Sequence, residues 1–308
     1  MIDTFQVSRT YARPPNPETL KKHGWKPIFN YGEINAFSFN AGNGKPRLTV
    51  SQDNTREHWF IRAEVSAGRW LFGSNLHLVN QSEMNEALRL LSIYTAEHTE
   101  MDFDAFSGRV TKVDFTEDFN FGEHLILPII AKYSRFELPK YERVLYNQSS
   151  VYFRNSLKKG KLTKEYKLYG KYQERLDNGN DRSEQEKAKG ILRLEVGFRK
   201  SAVYRLANEL NLEDYTANNI LNKKVSEAVL TKAKGKLAFE SMTANCLENF
   251  ELLFKDRSYN DASRLLTFLY LRGQYGNQYA YLEKYGLSHR TCQRFWKECK
   301  KIGVIALE

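Results

Sequence analysis

Residues 111–119 read TKVDFTEDF, and the fold turns on how that run is interpreted. Successive side chains of a strand point to opposite faces, so Asp114, Thr116 and Asp118 share one face and Val113, Phe115 and Glu117 the other. Val113 and Phe115 turn inward, which sends the carboxylates to the opposite, wet side of a sheet. Two more segments have the same design. In LRLEVGF (192–198), Leu192, Leu194 and Val196 alternate with Arg193 and Glu195. In NLHLV (75–79), Leu76 and Leu78 alternate with Asn75 and His77. Three strands thus each offer a ligand-type side chain from a polar face. Two carboxylates and an imidazole, Asp114, Glu195 and His77, suit a hard divalent ion such as Mg²⁺ or Mn²⁺. Plain surface strands carrying acids would show the same alternation, so the pattern alone leaves both readings open.

The surrounding sequence is that of an α+β protein. AFSFNAGNGKPRLTV (36–50) predicts a hairpin turning at Gly42-Asn43-Gly44. Its GNGK lacks the first glycine and the final Ser/Thr of a phosphate-binding loop. HWFIRAEV and LFGSNLHLV predict further strands. SEMNEALRLLSIYTAEH predicts a helix capped by Ser82, with Leu88, Leu91 and Tyr94 on its apolar side. Residues 124–145 read as partly helical, interrupted by Pro128 and Pro139. SSVYFRNS and LTKEYKLYGK predict a hairpin closed at Lys158-Lys159-Gly160. The polar stretch 177–190 reads as a mobile loop. From Ser201 the spacing becomes helical, with Ser288 capping a last helix that Gly303 ends. The expected organisation is a strand-rich domain over residues 1–205 and a helical domain over 206–308.

Charge narrows the function. The 308 residues carry 47 Lys+Arg against 37 Asp+Glu, a net +10, with 18 tyrosines and 19 phenylalanines. Cations neutralise phosphates and rings stack on unpaired bases, so the composition points to nucleic acid. Cys246, Cys292 and Cys299 lack CxxC spacing, which indicates neither a zinc site nor a disulfide framework. The N-terminal stretch lacks a signal-peptide apolar run, and nothing approaches the roughly 20 apolar residues of a membrane span. A soluble, cytoplasmic protein with no membrane partner is expected.

EYKLYGKYQE (165–174) sets Tyr166, Tyr169 and Tyr172 among lysines. As a strand it puts Tyr169 on the face of Lys167 and Lys171 and the other two rings opposite. A phenol with its ordinary pKa near 10 is a poor nucleophile, but neighbouring cations favour its phenolate. Tyr169 beside Lys171, near a metal that polarises a phosphate, has what phosphodiester transesterification requires. Tyr166 and Tyr172 read as packing residues.

In order along the chain, LFGSN, VDFTEDF, VYF…S…YKLYGKYQE and LRLEVGFRK resemble the motif series of the gene II/X class of filamentous-phage replication initiators. Related plasmid rolling-circle initiators carry a similar R-x-D, Y-x-K-x-x-E and R-x-E series. The likeness spans roughly Ala67 to Leu206 and continues more weakly into RTCQRFWKECKKIGV. It implies an HUH-like antiparallel nicking domain with flanking helices. Such an enzyme cuts one strand at an origin, keeps the 5′ phosphate on tyrosine and leaves a 3′-OH that primes rolling-circle synthesis. On this resemblance Tyr169 falls on the nucleophile, Lys171 on its lysine and Glu174 on the trailing acid. Asp114 and Glu195 fall on the acids of R-x-D and R-x-E.

Two positions depart from the family pattern. Ser74 stands in Gly73-Ser74-Asn75 where the family has histidine, leaving His77 as the substitute imidazole. Lys112 replaces the arginine of R-x-D, losing bidentate phosphate pairing. Asn75, Lys112, Arg193, Lys158, Lys159 and Lys161 are the expected contacts to single-stranded DNA, joined by Arg135. Arg290 and Arg294, on a helix–turn–helix-like segment from Gln278 to Gly303, are the expected contacts to duplex origin DNA. Host helicase and polymerase are the further expected partners. A non-catalytic repressor or single-strand binder would use the same charge and rings. A tyrosine recombinase fits less well, because His289 is followed three residues on by Cys292 rather than arginine.

Overall fold

The computed structural model describes residues 1–30, 33–52, 57–146, 149–156 and 162–243, with 258, 260–262, 264, 265, 268, 286 and 288–301 beyond them. Its centre is a ten-stranded antiparallel sheet. The strands are β1 (Ile2–Tyr11), β2 (Lys26–Asn30), β3 (Glu33–Asn40), β4 (Arg47–Gln52), β5 (Trp59–Ser66), β6 (Arg109–Asn120), β7 (Glu142–Tyr146), β8 (Ser150–Ser156), β9 (Leu162–Gly170) and β10 (Ile191–Arg199). They lie in the order β2-β3-β4-β5-β1-β6-β10-β9-β8-β7. The expected α+β class with an antiparallel sheet and accompanying helices is present.

The predicted hairpin forms in register, with Phe39 opposite Leu48 and Phe37 opposite Val50. Its turn needs the left-handed region at three successive residues, Gly42 (φ 71°), Asn43 (φ 49°) and Gly44 (φ 76°), which glycine and asparagine tolerate best. TKVDFTEDF lies within β6 and LRLEVGF within β10, so both alternations hold. The sides do not. Asp114, Thr116, Arg193 and Glu195 are all buried, because strands in the middle of this sheet are covered on both faces. The carboxylates therefore sit in low dielectric rather than on a wet surface.

Four further expectations change. LFGSNLHLV is not a strand: α2 (Ala67–Phe72) runs into it and stops at Gly73, whose φ of 74° suits a left-handed cap. The chain then folds back so tightly that a Cβ on Gly68 would collide with the His77 carbonyl. A short apolar run of this length does not distinguish strand from helix. The next helix, α3 (Gln81–Thr99), is capped by Asn80 rather than Ser82, through a reciprocal capping box with Glu83. Tyr172 and Lys171 leave the strand, since α5 (Lys171–Asp177) begins immediately after Gly170. Within 177–190, α6 (Arg182–Lys187) forms on an Asp181 cap, and its Glu184 pairs with Arg175 at 3.2 Å.

The remaining helices among the described residues are α1 (Pro17–Lys22), α4 (Glu123–Tyr133), α7 (Ser201–Glu209), α8 (Ala217–Ile220), α9 (Lys223–Lys236) and α10 (His289–Lys301). Ser288 caps α10 as expected, accepting from the Thr291 N–H at 3.1 Å. Among the described residues no helix is long and apolar enough to cross a membrane.

Two compact units emerge, and neither follows a division at residue 205. The first comprises Met1–Glu117, Asn155–Glu165 and Glu195–Thr231. Phe5, Val7, Leu48, Val50, Ile61 and Val65 fill its core, with Leu88 and Leu91 of α3 also buried. The second comprises Asp118–Arg154, Tyr166–Leu194 and Lys232–Glu308. In it Phe119 meets Phe239 at 4.4 Å, and the buried Tyr133 hydroxyl donates to the Leu237 carbonyl at 3.0 Å. Each buried side chain of this size contributes about 1.5–3 kcal/mol relative to exposure.

Candidate functional site

The first unit holds a buried cluster of charge. Asp114 on β6 and Glu165 on β9 belong to it, and Glu195 on β10 is buried as well. Arg199, at the end of β10, donates from Nη1 to Asp114 Oδ1 at 2.7 Å and from Nη2 to Glu165 Oε1 at 3.3 Å. The same Nη1 reaches the Phe198 carbonyl at 3.0 Å. Gly197 makes the arrangement possible: a Cβ there would stand 2.7 Å from Asp114 Oδ1 and 3.2 Å from Arg199 Nη1. Buried carboxylates are tolerable only when neutralised, and a guanidinium does this with two charge-assisted hydrogen bonds. Sequence reasoning found Asp114 and Glu195 but missed Glu165 and Arg199. The missing signal was the same alternation, since Arg199 stands four residues after Glu195 and Glu165 four before Tyr169.

His77 is elsewhere in this unit, with a different task. Its ring is exposed, lies 4.1 Å from the Phe72 ring and places Nε2 3.0 Å from the Glu83 carboxylate. Glu83 also accepts from the Asn80 N–H at 2.7 Å, so the imidazole completes the α3 cap. The family-like metal trio is therefore not assembled through His77. Asn75 is buried in the preceding turn, and Lys112 is tied to Glu64 by a short ion pair. The Asn80 N–H holds the Glu83 carboxyl below its usual range; desolvation opposes this and His77 adds to it. The cap therefore contributes fully above the ordinary glutamate pKa, about 4.3, and its contribution is lost as the pH falls below that through the lower folded value. Glu83→Ala is expected to destabilise by about 1 kcal/mol at pH 7, with the gap to wild type narrowing below pH 4 in urea denaturation.

In the second unit the YGKYQE stretch closes on itself. Tyr169 is the penultimate residue of β9 and only 7% exposed. Gly170 turns the chain into α5, which brings Lys171 Nζ to 5.5 Å from the Tyr169 ring centroid. The Lys171 side chain is 0% exposed and meets Glu174 at 3.0 Å, one helical turn on. The spacing Y-x-K-x-x-E is thus a physical unit: ring, cation over its face, carboxylate against the cation. Tyr166 packs edge-on against Tyr141 at 5.2 Å, the structural role expected of it. Tyr172 lies on α5, with Lys189 Nζ 5.6 Å from its ring.

Arg193 is buried and grips Asp118 through two parallel hydrogen bonds of 2.6 and 2.7 Å, so its guanidinium faces a carboxylate rather than solvent. Arg135 is exposed. Arg290 and Arg294 are exposed on α10, whose Cys292 and Phe295 are buried. Lys158, Lys159 and Lys161, most of the segment from Gln278 to Ser288, and Gly303 lie outside the described residues.

Among the described residues no three His, Cys, Asp or Glu side chains come together to hold a metal ion. The oxygen donors Asp114 and Glu195 have the chemistry that Mg²⁺ or Mn²⁺ takes, and Arg199 marks Asp114 as a place where positive charge is stabilised. No protein-family model matches the chain, and neither does any curated protein.

Proposed function

We propose that this chain is a rolling-circle replication initiator with an HUH-like nicking fold, cutting one DNA strand by tyrosine transesterification. Tyr169 Oη attacks the scissile phosphorus in line, a bond forms to the tyrosine, and the bond to the 3′ oxygen breaks. The phenolic proton passes to water and the departing 3′ oxygen takes one up. The ester keeps the phosphodiester's energy, so the same steps reversed reclose the strand without ATP. Lys171 holds a fixed positive charge against the nucleophile's ring, and Glu174 holds Lys171 there. Asp114 and Glu195 would hold Mg²⁺ or Mn²⁺, an ion whose chemistry when bound is to polarise a phosphate oxygen.

The observation that carries this reading is the closed Tyr169–Lys171–Glu174 unit. A lysine buried to this degree is costly in a purely structural role, and the initiator resemblance gives this one a task. A non-catalytic DNA binder is the second reading, favoured by the burial of Tyr169 and by the engagement of Asp114 and Glu165 with Arg199. To separate them, the protein is incubated with a randomised single-stranded DNA pool and Mn²⁺, denatured, and the DNA-linked peptide sequenced by mass spectrometry. A phosphotyrosine at Tyr169, abolished by EDTA, is the expected result. DNA retained before denaturation with no covalent species would establish the binder instead.

A further inference from the structure

The strands beyond Tyr169 carry a second set of tyrosines among cations. Tyr146 ends β7, which is an edge strand of the sheet, and is 41% exposed. Tyr152 and Arg154 follow on β8, with Val144 opposite Tyr152 and Glu142 opposite Arg154 across the ladder. The two rings stand 4.7 Å apart, tilted by 47°. Arg154 lies against both, its guanidinium carbon 5.1 Å from the Tyr146 centroid and 5.3 Å from that of Tyr152. Its Nη1 also donates to the Tyr146 hydroxyl at 2.6 Å. From β9, Lys167 Nζ approaches the Tyr152 ring at 5.9 Å. All four residues belong to the second unit, as does Tyr169.

We propose that Tyr146, Tyr152, Arg154 and Lys167 form a track for single-stranded DNA, leading the strand across β7 and β8 toward Tyr169 on β9. The inference rests on the proposed function for its choice of DNA as ligand. Aromatic faces stack unpaired bases without regard to sequence, and cations between them meet the phosphates. Arg154 fixes the Tyr146 ring by a hydrogen bond as well as by its face, so the platform is ordered before any ligand arrives and little entropy remains to be lost. Lys167 precedes Tyr169 by two residues on one strand, hence on the same face and about 7 Å away along it. A base-stacking pair whose neighbouring cation, Lys167, stands two residues before the attacking phenol would hold the scissile phosphate in place by its neighbours. An exposed edge strand with Leu145 outward also suits an added peptide strand, but that mode uses backbone hydrogen bonds and needs neither rings nor cations.

Fluorescence anisotropy with the full chain and a labelled fifteen-residue oligothymidylate tests the track. Tyr146→Ala and Tyr152→Ala are each expected to weaken binding about 5- to 100-fold. Arg154→Gln and Lys167→Gln should each weaken it and flatten the log–log salt slope by about 0.7. Tyr146→Phe keeps the ring and should stay near wild type, whereas Glu142→Gln, which removes an acid opposite Arg154, should tighten binding. Tyr152→Leu retains packed volume without an aromatic face and guards against a folding artefact in the alanine variant. Wild-type affinity in Tyr146→Ala and Arg154→Gln, or no oligonucleotide binding by the parent chain, overturns the track. Binding lost in these variants while no covalent adduct ever forms sustains the track and defeats the nicking reading. Adducts that form equally well in every track variant, with unaltered affinity, do the reverse.

Discussion

Tyr169→Phe is expected to reduce covalent protein–DNA adduct by at least about a thousandfold, the scale on which removal of a nucleophile acts. The same variant should bind single-stranded oligonucleotide almost as the parent does. The reason lies in what the substitution leaves. The ring that faces Lys171 at 5.5 Å remains, so the cation keeps its aromatic neighbour and Glu174 its ion pair. Only the hydroxyl that would carry the phosphoryl group is gone. The other two tyrosines of the stretch make the internal comparison. Tyr166→Phe retains the edge-on packing against Tyr141, and Tyr172→Phe retains the ring beside Lys189, so both should form adduct at the parental level. Adduct undiminished in Tyr169→Phe would remove that residue from the chemistry, and loss in Tyr172→Phe instead would move the nucleophile onto α5. Binding and adduct lost together in Tyr169→Phe would point to a folding defect, which thermal melting of the same sample would show.

Local periodicity was enough to read the strands that matter most. Alternation in TKVDFTEDF and LRLEVGF separated apolar from polar side chains as the structure does, and the Gly-Asn-Gly turn fixed the register of β3 against β4. What alternation does not carry is the thickness of the protein above each face. Asp114 and Glu195 looked solvent-facing because nothing in a strand's own sequence says that its polar side is covered. Arg199 escaped notice for a related reason: it pairs with Asp114, 85 residues away in sequence, across strands whose order the chain does not disclose. His77 misled because a six-residue helix and a folded-back turn have the same hydrophobic content as a strand of that length. The interleaved units, with β6, β9 and β10 each contributing residues to both, leave no composition change for a reader to find at their borders. Tyr146, Tyr152 and Arg154 were invisible for the opposite reason, since each is ordinary on its own and gains meaning only from being brought together on adjacent strands.

Asp118→Ala is expected to destabilise the protein by about 3–5 kcal/mol, the cost of breaking a buried ion pair from one side. Arg193, its neighbour, is fully buried, whereas the Asp118 side chain keeps 19% exposure. The pair is therefore lopsided, and the two single deletions should differ. Removing the aspartate takes both carboxylate hydrogen bonds from a guanidinium that is always charged in a site with little water. Removing the arginine leaves a carboxylate that still reaches solvent and can protonate, so Arg193→Met should cost measurably less. Replacing both at once, Asp118→Leu with Arg193→Met, fills the space without charge and should come out near neutral, giving a strongly non-additive double-mutant cycle in urea denaturation at pH 7. The same cycle bears on function. The resemblance would have Arg193 contact DNA, which requires the guanidinium to let go of two hydrogen bonds of 2.6 and 2.7 Å. If the double variant is as stable as the parent and still binds oligonucleotide with an unaltered salt slope, Arg193 is a structural cation. A slope flattened by about 0.7 at unchanged stability would mean that it leaves Asp118 for a phosphate when the strand is bound.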